Sequence, residues 1–419
     1  MKALIIGNGG REHAIAWKLA QDPRITHIYV APGNGGTASL ERAENLALTD
    51  SDALLQFARN NDIGLTFVGS EAWLVDGIVD RFQAAGLNIF GPHQAAAMLE
   101  GSKRFAKAFM QKYGVKTAAY QSFDQAEQAL AYLKTCPYPT VVKASGLAAG
   151  KGVIICQNQA EAEKAVRDIM LKNRFGAAGT EIVIEEFLEG FEVSILSLCD
   201  GKNIVPLKSA KDHKTIGEYN QGENTGGMGV VAPHPSFTPT QYQAFIDDIM
   251  LPTLRGIQAE QLQFAGIIFF GLMVNERGVF LLEYNMRLGD PETQAVLALM
   301  QSSLLDAVLA CIDGKLADIE LQWSPKHAVC LVAASGGYPN EYAVGLPISG
   351  VEKASCFAQV FIAGAKKVDN GFLSSGGRVL NVVALGDDLG KARTQAYSAL
   401  EKIQFERMTY RKDIGEIPS

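Results

Sequence analysis

Residues 264–294 read FAGIIFFGLMVNERGVFLLEYNMRLGDPETQ, and they contain two apolar runs separated by the polar turn NERG. Short apolar runs around such a turn predict two paired β-strands. The second strand ends in a carboxylate, an amide and a guanidinium. Because side chains alternate along a strand, Glu283, Asn285 and Arg287 are expected to point to one face.

This polar face predicts a site for a divalent cation beside an anionic ligand. Magnesium prefers hard oxygen ligands and takes few protein groups, so Glu283 and Asn285 are the candidate metal ligands. Arg287 lies farther along the same face, where it can reach a phosphate or carboxylate oxygen. The following turn is expected to begin a helix, with Asp290 at the N-cap and Pro291 at the first helical position.

The rest of the chain predicts several domains around this stretch. At 419 residues it exceeds what one hydrophobic core usually serves. Apolar runs alternate with helical patterns up to about residue 100, which predicts a doubly wound parallel sheet. The later runs are short and separated by glycines and charges, as in antiparallel sheets. We place the boundaries at 1–102, 103–326 and 327–419, with a small lid at about 120–190 in the second domain.

Charge and composition exclude some classes of partner. The net charge of −7 argues against nucleic acid or an anionic membrane as the main partner. The start, MKALIIGNGG, is too short for a signal peptide, and no apolar run approaches about 18 residues. A cytoplasmic location is therefore expected. Six scattered cysteines without a CxxC pair predict core thiols rather than disulfides or a zinc site.

The N-terminal motif GNGGREH resembles a dinucleotide-binding turn but departs from it. Gly7 and Gly9 fit the first two glycines of G-x-G-x-x-G, whereas Glu12 stands at the third. A glycine turn before a helix offers N–H groups to a single phosphate. We therefore expect a phosphate at Gly9, Gly10 and Arg11, with a plain tight turn as the alternative.

The segment VVKASGLAAGKGVII, residues 141–155, resembles a P-loop without its spacing or its magnesium-binding hydroxyl. Both flanks are β-like, so a hairpin loop is predicted instead. Its small residues would let the backbone fold over a polyphosphate, with Lys143 and Lys151 supplying charge. A solvated hairpin is the structural alternative.

A third segment, EIVIEEFLEGFEVSIL, predicts two short strands whose linker could contact adenine. Glu185 and Glu192 lie seven residues apart and could take the amino group and the ribose hydroxyls. An acidic β-edge is the commoner structural reading of such a segment.

Together these segments resemble the ATP-grasp ligases, and specifically the glycinamide ribonucleotide synthetase family. The resemblance covers essentially the whole chain through GNGGREHA, SKRFAKAFM, VVKASGLAAGKGV, IEEFLEG, KDHK, NTGGMG and RLGDPETQ, in that order. It implies an α/β and α+β multidomain fold, with an N-terminal doubly wound parallel sheet, a central ATP-grasp fold and a small β-rich C-terminal domain.

The resemblance also implies site residues. The contacts expected for ATP are Lys103, Lys143, Gly146, Gly150, Lys151, Gly152, Glu185, Glu186, Phe187, Leu188 and Glu192. The contacts expected for the other substrates are Gly9, Gly10, Arg11, Lys214, Asn224, Thr225, Gly226, Gly227, Met228, Gly229, Arg287, Asp290, Pro291 and Glu292. Catalytic roles are expected for Lys143, Arg287, Asp212 and His213, although a lone histidine is more often structural. Mg²⁺ or Mn²⁺ is expected at Glu283 and Asn285.

The sequence departs from the family pattern at several positions. Thr215 follows DHK where arginine is usual, and Leu288 replaces phenylalanine. Ile362 and Ala365 change the C-terminal VFHAGT pattern, which puts a catalytic role for that strand in doubt. Gly271 stands where many ATP-grasp enzymes have a second acidic metal ligand.

The implied reaction joins glycine to 5-phosphoribosylamine with ATP, giving glycinamide ribonucleotide, ADP and phosphate in purine biosynthesis. Phosphoryl transfer needs mainly positioning and charge neutralisation, which agrees with these residue types. The partners expected are these small molecules, and a monomer is expected. Two alternatives stay open: another ATP-grasp carboxylate–amine ligase or carboxylase, and an ATP-binding regulatory module without turnover.

Overall fold

The computed structural model describes residues 1–148 and 151–416. The first hundred residues contain five parallel strands, β1 (Lys2–Gly7), β2 (His27–Pro32), β3 (Ala43–Asn45), β4 (Ile63–Val68) and β5 (Ile89–Pro92). They lie in the order β3-β2-β1-β4-β5. The accompanying helices are α1 (Gly10–Leu19), α2 (Ser51–Asn60), α3 (Glu71–Val75), α4 (Ile78–Ala84) and α5 (Gln94–Gly101).

Helices cover both faces of this sheet. Ala3 and Ile5 of β1 pack in the same core as α1, whereas Leu4 and Ile6 pack in the core that contains α2. A strand buried on both faces reads as a continuous apolar run, as KALIIG does. The predicted doubly wound parallel sheet is confirmed.

The sheet continues into the central region. The long strand β14 (Phe264–Asn275) pairs antiparallel with β5, with β10 (Phe191–Cys199) and with β15 (Gly278–Asn285), and β11 (Ile204–Pro206) extends β10. The predicted hairpin around NERG is confirmed. Since β14 joins two regions in one nine-stranded sheet, the Glu283 face is anchored to the N-terminal sheet.

A separate four-stranded antiparallel sheet, which we call the lid sheet, stands beside the central sheet. It contains β6 (Tyr120–Phe123), β7 (Thr140–Ala144), β8 (Val153–Cys156) and β9 (Ile182–Glu186) in the order β6-β9-β7-β8. It follows α6 (Lys103–Tyr113) and packs with α7 (Ala126–Tyr132) and α8 (Gln159–Val166) around its own core. The central region also carries α9 (Pro239–Phe245), α10 (Leu251–Ala259), α11 (Glu292–Leu299) and α12 (Leu304–Ile312).

The C-terminal region is built on a five-stranded antiparallel sheet. Its strands are β12 (Lys211–Asp212), β13 (Gly229–Ala232), β16 (His327–Ala334), β18 (Gln359–Ile362) and β21 (Arg378–Gly386). A three-stranded sheet contains β17 (Pro347–Ile348), β19 (Ala365–Val368) and β20 (Gly371–Ser374), and the helices are α13 (Val351–Ser355) and α14 (Leu389–Leu400). Strand pairing crosses both expected boundaries, and positions 102 and 327 remain predictions.

The cysteine prediction holds for five of the six residues. Cys356 is exposed, at the end of α13, whereas the other five are buried. The expectation that all six are core thiols is therefore wrong for Cys356. None of the described helices combines the length and the apolar character needed to cross a bilayer.

Candidate functional site

A cavity of about 600 Å³ lies where the end of β15, the β7–β8 hairpin and the end of β9 meet. Most of the residues predicted from the sequence line it: Gly9, Arg11, Lys103, Lys143, Gly152, Glu185, Glu186, Phe187, Leu188, Glu192, Asp212, Lys214, Asn224, Thr225, Gly226, Glu283, Asn285, Arg287, Asp290 and Glu292. Eight others do not line it: Gly10, Gly146, Lys151, His213, Gly227, Met228, Gly229 and Pro291. Gly150 lies outside the described residues.

One end of the cavity has apolar walls and a buried carboxylate. The walls include Met110, Leu188, Met273 and Leu282. Oε2 of Glu185 accepts hydrogen bonds from Lys143 and Lys107, whereas Oε1 is buried without a partner among the residues described. An unpaired buried acceptor is costly, so this atom is available to a donor on a ligand.

Lys107 was missed by the sequence reasoning. Its Nζ lies 3.1 Å from Glu185 Oε2 and donates to Thr117 Oγ1 at 2.7 Å. Burial lowers the pKa of Lys107 to about 8, with the Glu185 charge opposing that shift. The i, i+4 spacing from Lys103 on α6 puts both lysines on one helix face, a signal that was present in SKRFAK.

The β7–β8 hairpin is confirmed, and Lys143 pairs with Val153 in its register. Gly146 packs against the neighbouring segment: its N–H donates to Ala178 O at 3.0 Å, and a Cβ there would lie 2.6 Å from Ala178 Cα. Lys151 is exposed, so the lysine that the hairpin supplies to the cavity is Lys143.

The Glu283 carboxylate lies among positive charges but pairs with none of them directly. Burial raises its pKa, but the charges of Lys214, Lys143 and Lys103 outweigh burial and lower it overall. Across the described chain no group hydrogen-bonds to it or lies within ion-pair distance. An ionised carboxylate with both oxygens available, next to the amide oxygen of Asn285, fits a hard divalent cation.

A β-bulge shapes this end of β15. Glu283 lies opposite Gly271 and Leu281 opposite Leu272, so Leu282 is the extra residue. Leu281 therefore packs in the core, although simple alternation would put it on the face of Glu283. A Cβ on Gly271 would lie 3.4 Å from Glu283 Cγ, so the position of the missing acidic ligand does face Glu283.

The guanidinium of Arg287 bonds to several groups of the protein itself. Its Nε donates to Glu71 Oε2 at 3.2 Å, and its Nη2 donates to Asn285 Oδ1 at 3.1 Å and lies 3.1 Å from Glu100 Oε1. Its Nη1 donates to Leu288 O at 3.3 Å. Arg287 therefore orients Asn285, and its predicted contact with a phosphate or carboxylate of a substrate stays untested.

The expected cap of the helix after GDPE is wrong. Helix α11 begins at Glu292 with Pro291 at the N-cap position, and Asp290 does not cap it. Asp290 Oδ2 instead accepts from the Arg11 N–H, at the start of α1, at 3.2 Å. Local sequence predicted the wrong helix because the true partner lies 279 residues away.

The start of α1, where a phosphate is predicted at Gly9, Gly10 and Arg11, bonds to carboxylates of the protein in this structure. The Gly9 N–H donates to Glu12 Oε2 at 2.6 Å, and the Arg11 N–H is taken by Asp290. The Arg11 guanidinium donates to Glu12 Oε1 and to Leu288 O. Two carboxylates satisfy the helix N-terminus, and their charge disfavours an anion there.

Only part of the KDHK segment faces the cavity. Asp212 and Lys214 line the cavity, whereas His213 is buried outside it and bonds to Gly229 O at 3.1 Å. Burial and the nearby Lys211 lower the pKa of His213 to about 4, so its imidazole is neutral. This position favours the structural reading, and a catalytic role for His213 stays an untested prediction.

The NTGGMG loop contributes mainly its first three residues. Asn224, Thr225 and Gly226 line the cavity, whereas Met228 and Gly229 are buried against the C-terminal sheet. Gly227 has a φ of +110°, and a Cβ there would lie 2.6 Å from both Asp212 Oδ1 and Pro291 Cδ. This glycine lets the loop touch KDHK and GDPE together.

A second cavity of about 1020 Å³ adjoins the first, between the N-terminal and C-terminal sheets. Both cavities share Asn8, Gly9, Asp290 and Arg378 in their linings. The residues that line the second cavity from the C-terminal region include Lys366, Lys367 and residues 374–376. Sequence reasoning missed this cavity because its walls come from segments more than 300 residues apart.

Strand β18, whose catalytic role the departures at Ile362 and Ala365 put in doubt, contacts the N-terminal region through its backbone. The Ile362 N–H donates to His13 Nδ1 at 2.9 Å, and the Ile362 O accepts from Asn34 Nδ2 at 3.0 Å. Ala363 and Ala365 line the second cavity. The departures from VFHAGT therefore leave this wall of the cavity in place.

Arg378 on β21 is the main site residue without a sequence signal. Its Nη1 donates to the carbonyl oxygens of Gly226, Gly227 and Asp290 at 2.5, 3.3 and 2.6 Å. It joins the NTGGMG loop to the GDPE turn. Nothing in RVLNVVALG marks this arginine locally, since its partners come from other parts of the chain.

Comparisons with known proteins agree with this arrangement. Family models of phosphoribosylglycinamide synthetase match the N domain at residues 1–100, the ATP-grasp (A) domain at 101–293 and the C domain at 328–417. The phosphoribosylamine–glycine ligases of Fusobacterium nucleatum and Clostridium acetobutylicum are 54% and 52% identical, over 100% and 99% of this chain and 99% and 100% of theirs.

Solved structures show the same fold. The crystal structure of phosphoribosylamine–glycine ligase from Thermotoga maritima matches with a TM-score of 0.85 and 33% identity, over 99% of this chain and 100% of that one. Biotin carboxylase from Campylobacter jejuni matches with a TM-score of 0.75 at 13% identity, over 97% and 92%, and shares the fold alone. The chain belongs to the phosphoribosylglycinamide synthetase family.

Proposed function

We propose that this protein ligates glycine to 5-phosphoribosylamine at the expense of ATP, forming glycinamide ribonucleotide, ADP and phosphate in purine biosynthesis. The observation that carries the proposal is the junction of the two cavities at Gly9, Asp290 and Arg378. One cavity has the groups for a nucleotide and the other has room for a sugar phosphate. The reacting atoms would meet between them.

ATP lies in the smaller cavity. Its adenine packs against Leu188, Met273 and Leu282, and its amino group donates to the unpaired Oε1 of Glu185. The ribose reaches Glu192, which pairs with Lys214 in the free protein. Lys103 and Lys143 hold the phosphates, and the β7–β8 hairpin covers them and excludes water.

Glu283 and Asn285 hold the divalent cation, as Mg²⁺ or Mn²⁺, and Arg287 fixes the amide of Asn285. When bound, the cation neutralises charge on the phosphates during transfer. The cluster of Glu71 and Glu100 around Arg287 keeps the guanidinium in place. These two acids act through Arg287 rather than on a substrate.

The chemistry needs no covalent enzyme intermediate. A carboxylate oxygen of glycine attacks the γ-phosphorus, the bond to the β–γ bridging oxygen breaks, and ADP leaves. The amine of phosphoribosylamine then attacks the carbonyl carbon of glycyl phosphate. The C–O bond to phosphate breaks, and inorganic phosphate leaves with the bonding electron pair and takes up the proton lost by the amine. Lys143 and Lys103 stabilise the phosphoryl charge, and the protein contributes mainly position.

Phosphoribosylamine enters from the larger cavity. Its phosphate lies toward Lys366 and Lys367, and its amine points to the opening beside Asp290. The N-terminus of α1 is already satisfied by carboxylates, so it serves as a wall here rather than as the phosphate site.

The test is ADP release with glycine present and phosphoribosylamine added or omitted, with the product identified by mass. We expect full turnover and glycinamide ribonucleotide only when both are present. Turnover with bicarbonate instead of glycine would indicate a carboxylase, and ATP binding without turnover would indicate a regulatory module. A monomer in the cytoplasm remains our expectation, which sedimentation and fractionation would check.

A further inference from the structure

Lys107, on the buried face of α6, is a cation to which the proposed mechanism gives no role. Its side chain is only 2% exposed, and it lines the smaller cavity beside Glu185. A lysine ammonium carries three N–H donors and no acceptor, and a buried donor without a partner is costly. The partners of these three donors therefore decide what Lys107 can do.

The ammonium of Lys107 is occupied by the protein itself. Its Nζ lies 3.1 Å from Glu185 Oε2 and donates to Thr117 Oγ1 at 2.7 Å. The Thr117 hydroxyl donates its own proton to Leu281 O at 2.5 Å, so it faces Lys107 as an acceptor. The third N–H has the face of the Tyr120 ring, whose centroid is 5.7 Å from Nζ. Lys107 therefore acts on a ligand through Glu185 rather than by touching it.

The carboxylate of Glu185 has one occupied oxygen and one open oxygen. Lys143 donates to Oε2 at 3.0 Å, so both cations bind the same oxygen. Oε1 is buried, and no group in residues 1–148 or 151–416 donates to it. Burial raises the pKa of Glu185, but the charges of Lys143 and Lys107 outweigh burial and lower it overall. Glu185 is therefore an ionised carboxylate whose open oxygen can only accept a hydrogen bond.

The two lysines that bind Glu185 are not equivalent. The charge of Lys143 also acts on Glu283, which belongs to the metal and phosphate end of the cavity. A bound triphosphate therefore competes with Glu185 for the ammonium of Lys143. Lys107 has no free N–H for the phosphates, so it is the cation that stays with Glu185 when a nucleotide is bound. A buried carboxylate that loses its cations tends to take up a proton, and Lys107 prevents this.

We propose that Lys107 is a positioning residue for base selection: it holds the Glu185 carboxylate with Oε1 open to the base, so that the site selects a 6-amino purine nucleotide over a 6-keto one. The 6-amino group of adenine donates to such an oxygen, whereas the 6-keto oxygen of hypoxanthine or guanine is itself an acceptor. A protonated carboxyl could donate to the keto oxygen, so the selection depends on the cation beside it. The inference rests on the proposed function, because the nucleotide concerned is the ATP that the reaction consumes.

The first experiment compares ATP with inosine triphosphate, which differs from ATP only at this edge of the base. A site that bonds to an amino group rejects an analogue without it, so wild type should favour ATP in kcat/KM by about a hundredfold or more. The measurement is release of the nucleoside diphosphate with glycine and phosphoribosylamine present. Lys107→Met removes the charge, and we expect it to narrow this ratio by about tenfold, mainly through a lower kcat/KM for ATP.

Control variants separate a role in base selection from a structural one. Lys107→Arg keeps a cation beside Glu185 and should restore most of the ratio. Lys112→Met, on the same helix, should leave the ratio at the wild-type value, because Lys112 pairs with Glu260 at the surface. If Lys107→Met does not fold, Thr117→Val removes the acceptor that fixes Lys107 and should narrow the ratio by about threefold. A ratio that stays at the wild-type value in the variant measured, even where both activities fall together, would overturn the proposal.

A binding measurement distinguishes failure of this inference from failure of the proposed function. ADP and inosine diphosphate are titrated calorimetrically, with magnesium and without the other substrates, into wild type and Lys107→Met. We expect wild type to bind ADP about a hundredfold more tightly than inosine diphosphate, and the variant to show about a tenfold smaller preference. If these preferences are found but wild type forms no ligation product, base selection stands and the proposed function fails. Equal affinity of wild type for both diphosphates would overturn the inference.

Discussion

Glu283 is a carboxylate of the smaller cavity that no described side chain pairs with directly. Lys103, Lys143 and Lys214 act on it through space, yet across the described chain none of them lies within ion-pair distance. Arg287, by contrast, is paired on two sides by Glu71 and Glu100. The unpaired carboxylate is therefore the group that gains most from a bound cation.

Replacing Glu283 tests the metal assignment. Glu283→Ala should lower turnover by at least about a hundredfold, because charge stabilisation of a transferring phosphoryl group is commonly worth that much. The measurement is ADP release over a magnesium titration, with Glu276→Ala in the exposed β14–β15 turn as the control. Turnover within a few-fold of wild type at saturating magnesium would contradict the assignment.

Another departure from the family pattern has a structural account. Thr215, which replaces the usual arginine after DHK, accepts from Arg411 Nη1 through its hydroxyl at 2.9 Å and its carbonyl at 3.1 Å. Arg411 is buried and pairs with Asp413. A guanidinium from the C-terminal segment thus holds the end of KDHK where the family has one in the segment itself.

At the scale of elements, the β7–β8 hairpin has two kinds of contact. The N–H of Gly146 donates to Ala178 O in the neighbouring segment, whereas the N–H of Lys151 donates to Ala148 O within the same loop. The loop sequence SGLAAGKG is rich in small residues, which offer little side-chain packing. Bound phosphates would add partners for its N–H groups.

This contrast predicts a change in hydrogen exchange. Adding ATP and magnesium should slow exchange across residues 145–153 by about tenfold or more, because closed-state partners protect amides that otherwise open locally. Peptides from β16 are the internal control, because that strand is buried in the middle of the C-terminal sheet. Unchanged exchange in 145–153 at saturating nucleotide would contradict closure of the hairpin on the phosphates.

Elements with local signals were predicted and those with distant partners were not. The parallel sheet, the NERG hairpin and the β7–β8 hairpin follow from apolar runs and turn residues. The bulge at Leu282 was not predicted. Strict alternation assumes that each residue of β15 has one partner, whereas the bulge arises from how β15 pairs with β14. The Asp290 cap failed because a DPE turn suits a local helix start, while tertiary structure gives that carboxylate to α1.

The site shows the same division. Most lysines and acids of the cavity that lie inside recognisable segments were predicted, with Lys107 as an exception. Glu71, Glu100 and Arg378 were not found, because each acts on a residue from another domain. No local pattern distinguishes such a residue from an ordinary charged one.

At the scale of the whole molecule, buried histidines predict acid sensitivity. Burial lowers the pKa of His13, His213 and His234 to about 4 each. In unfolded chains the value is about 6.5, so below that pH the unfolded state binds protons that the folded state does not. Stability is then lost as pH falls from about 6.5 toward 4, by up to about 3 kcal/mol per histidine.

Urea denaturation at pH 7.5, 6.5 and 5.5 checks this, with His213→Asn as the variant. The variant should show a shallower loss of unfolding free energy below pH 6.5, approaching about 1.4 kcal/mol less per pH unit. Glu100 and Asp212, whose pKa values burial raises, oppose the trend in both proteins and cancel in the comparison. Parallel curves for variant and wild type would show that His213 does not contribute.

Arg378 links the C-terminal sheet to the central region where the two cavities meet. Its three carbonyl partners belong to the NTGGMG loop and the GDPE turn, so it sets the opening through which the acceptor amine must pass. The nucleotide groups Lys103, Lys143 and Glu185 contact other elements. Loss of Arg378 should therefore disturb the second step of the reaction more than the first.

Arg378→Lys preserves the charge but loses the planar fork that spans several carbonyls. We expect ATP affinity to change by less than about threefold and ADP release with glycine alone to equal the wild-type level, while kcat/KM for phosphoribosylamine falls by about a hundredfold, or about 2.7 kcal/mol. Calorimetric ATP titration and steady-state kinetics with each substrate varied measure this. Arg393→Lys is the matched control, because Arg393 also donates to backbone carbonyls but lies on α14, away from both cavities. A parallel loss of ATP binding in Arg378→Lys would mean that the C-terminal sheet supports the whole site rather than the junction alone.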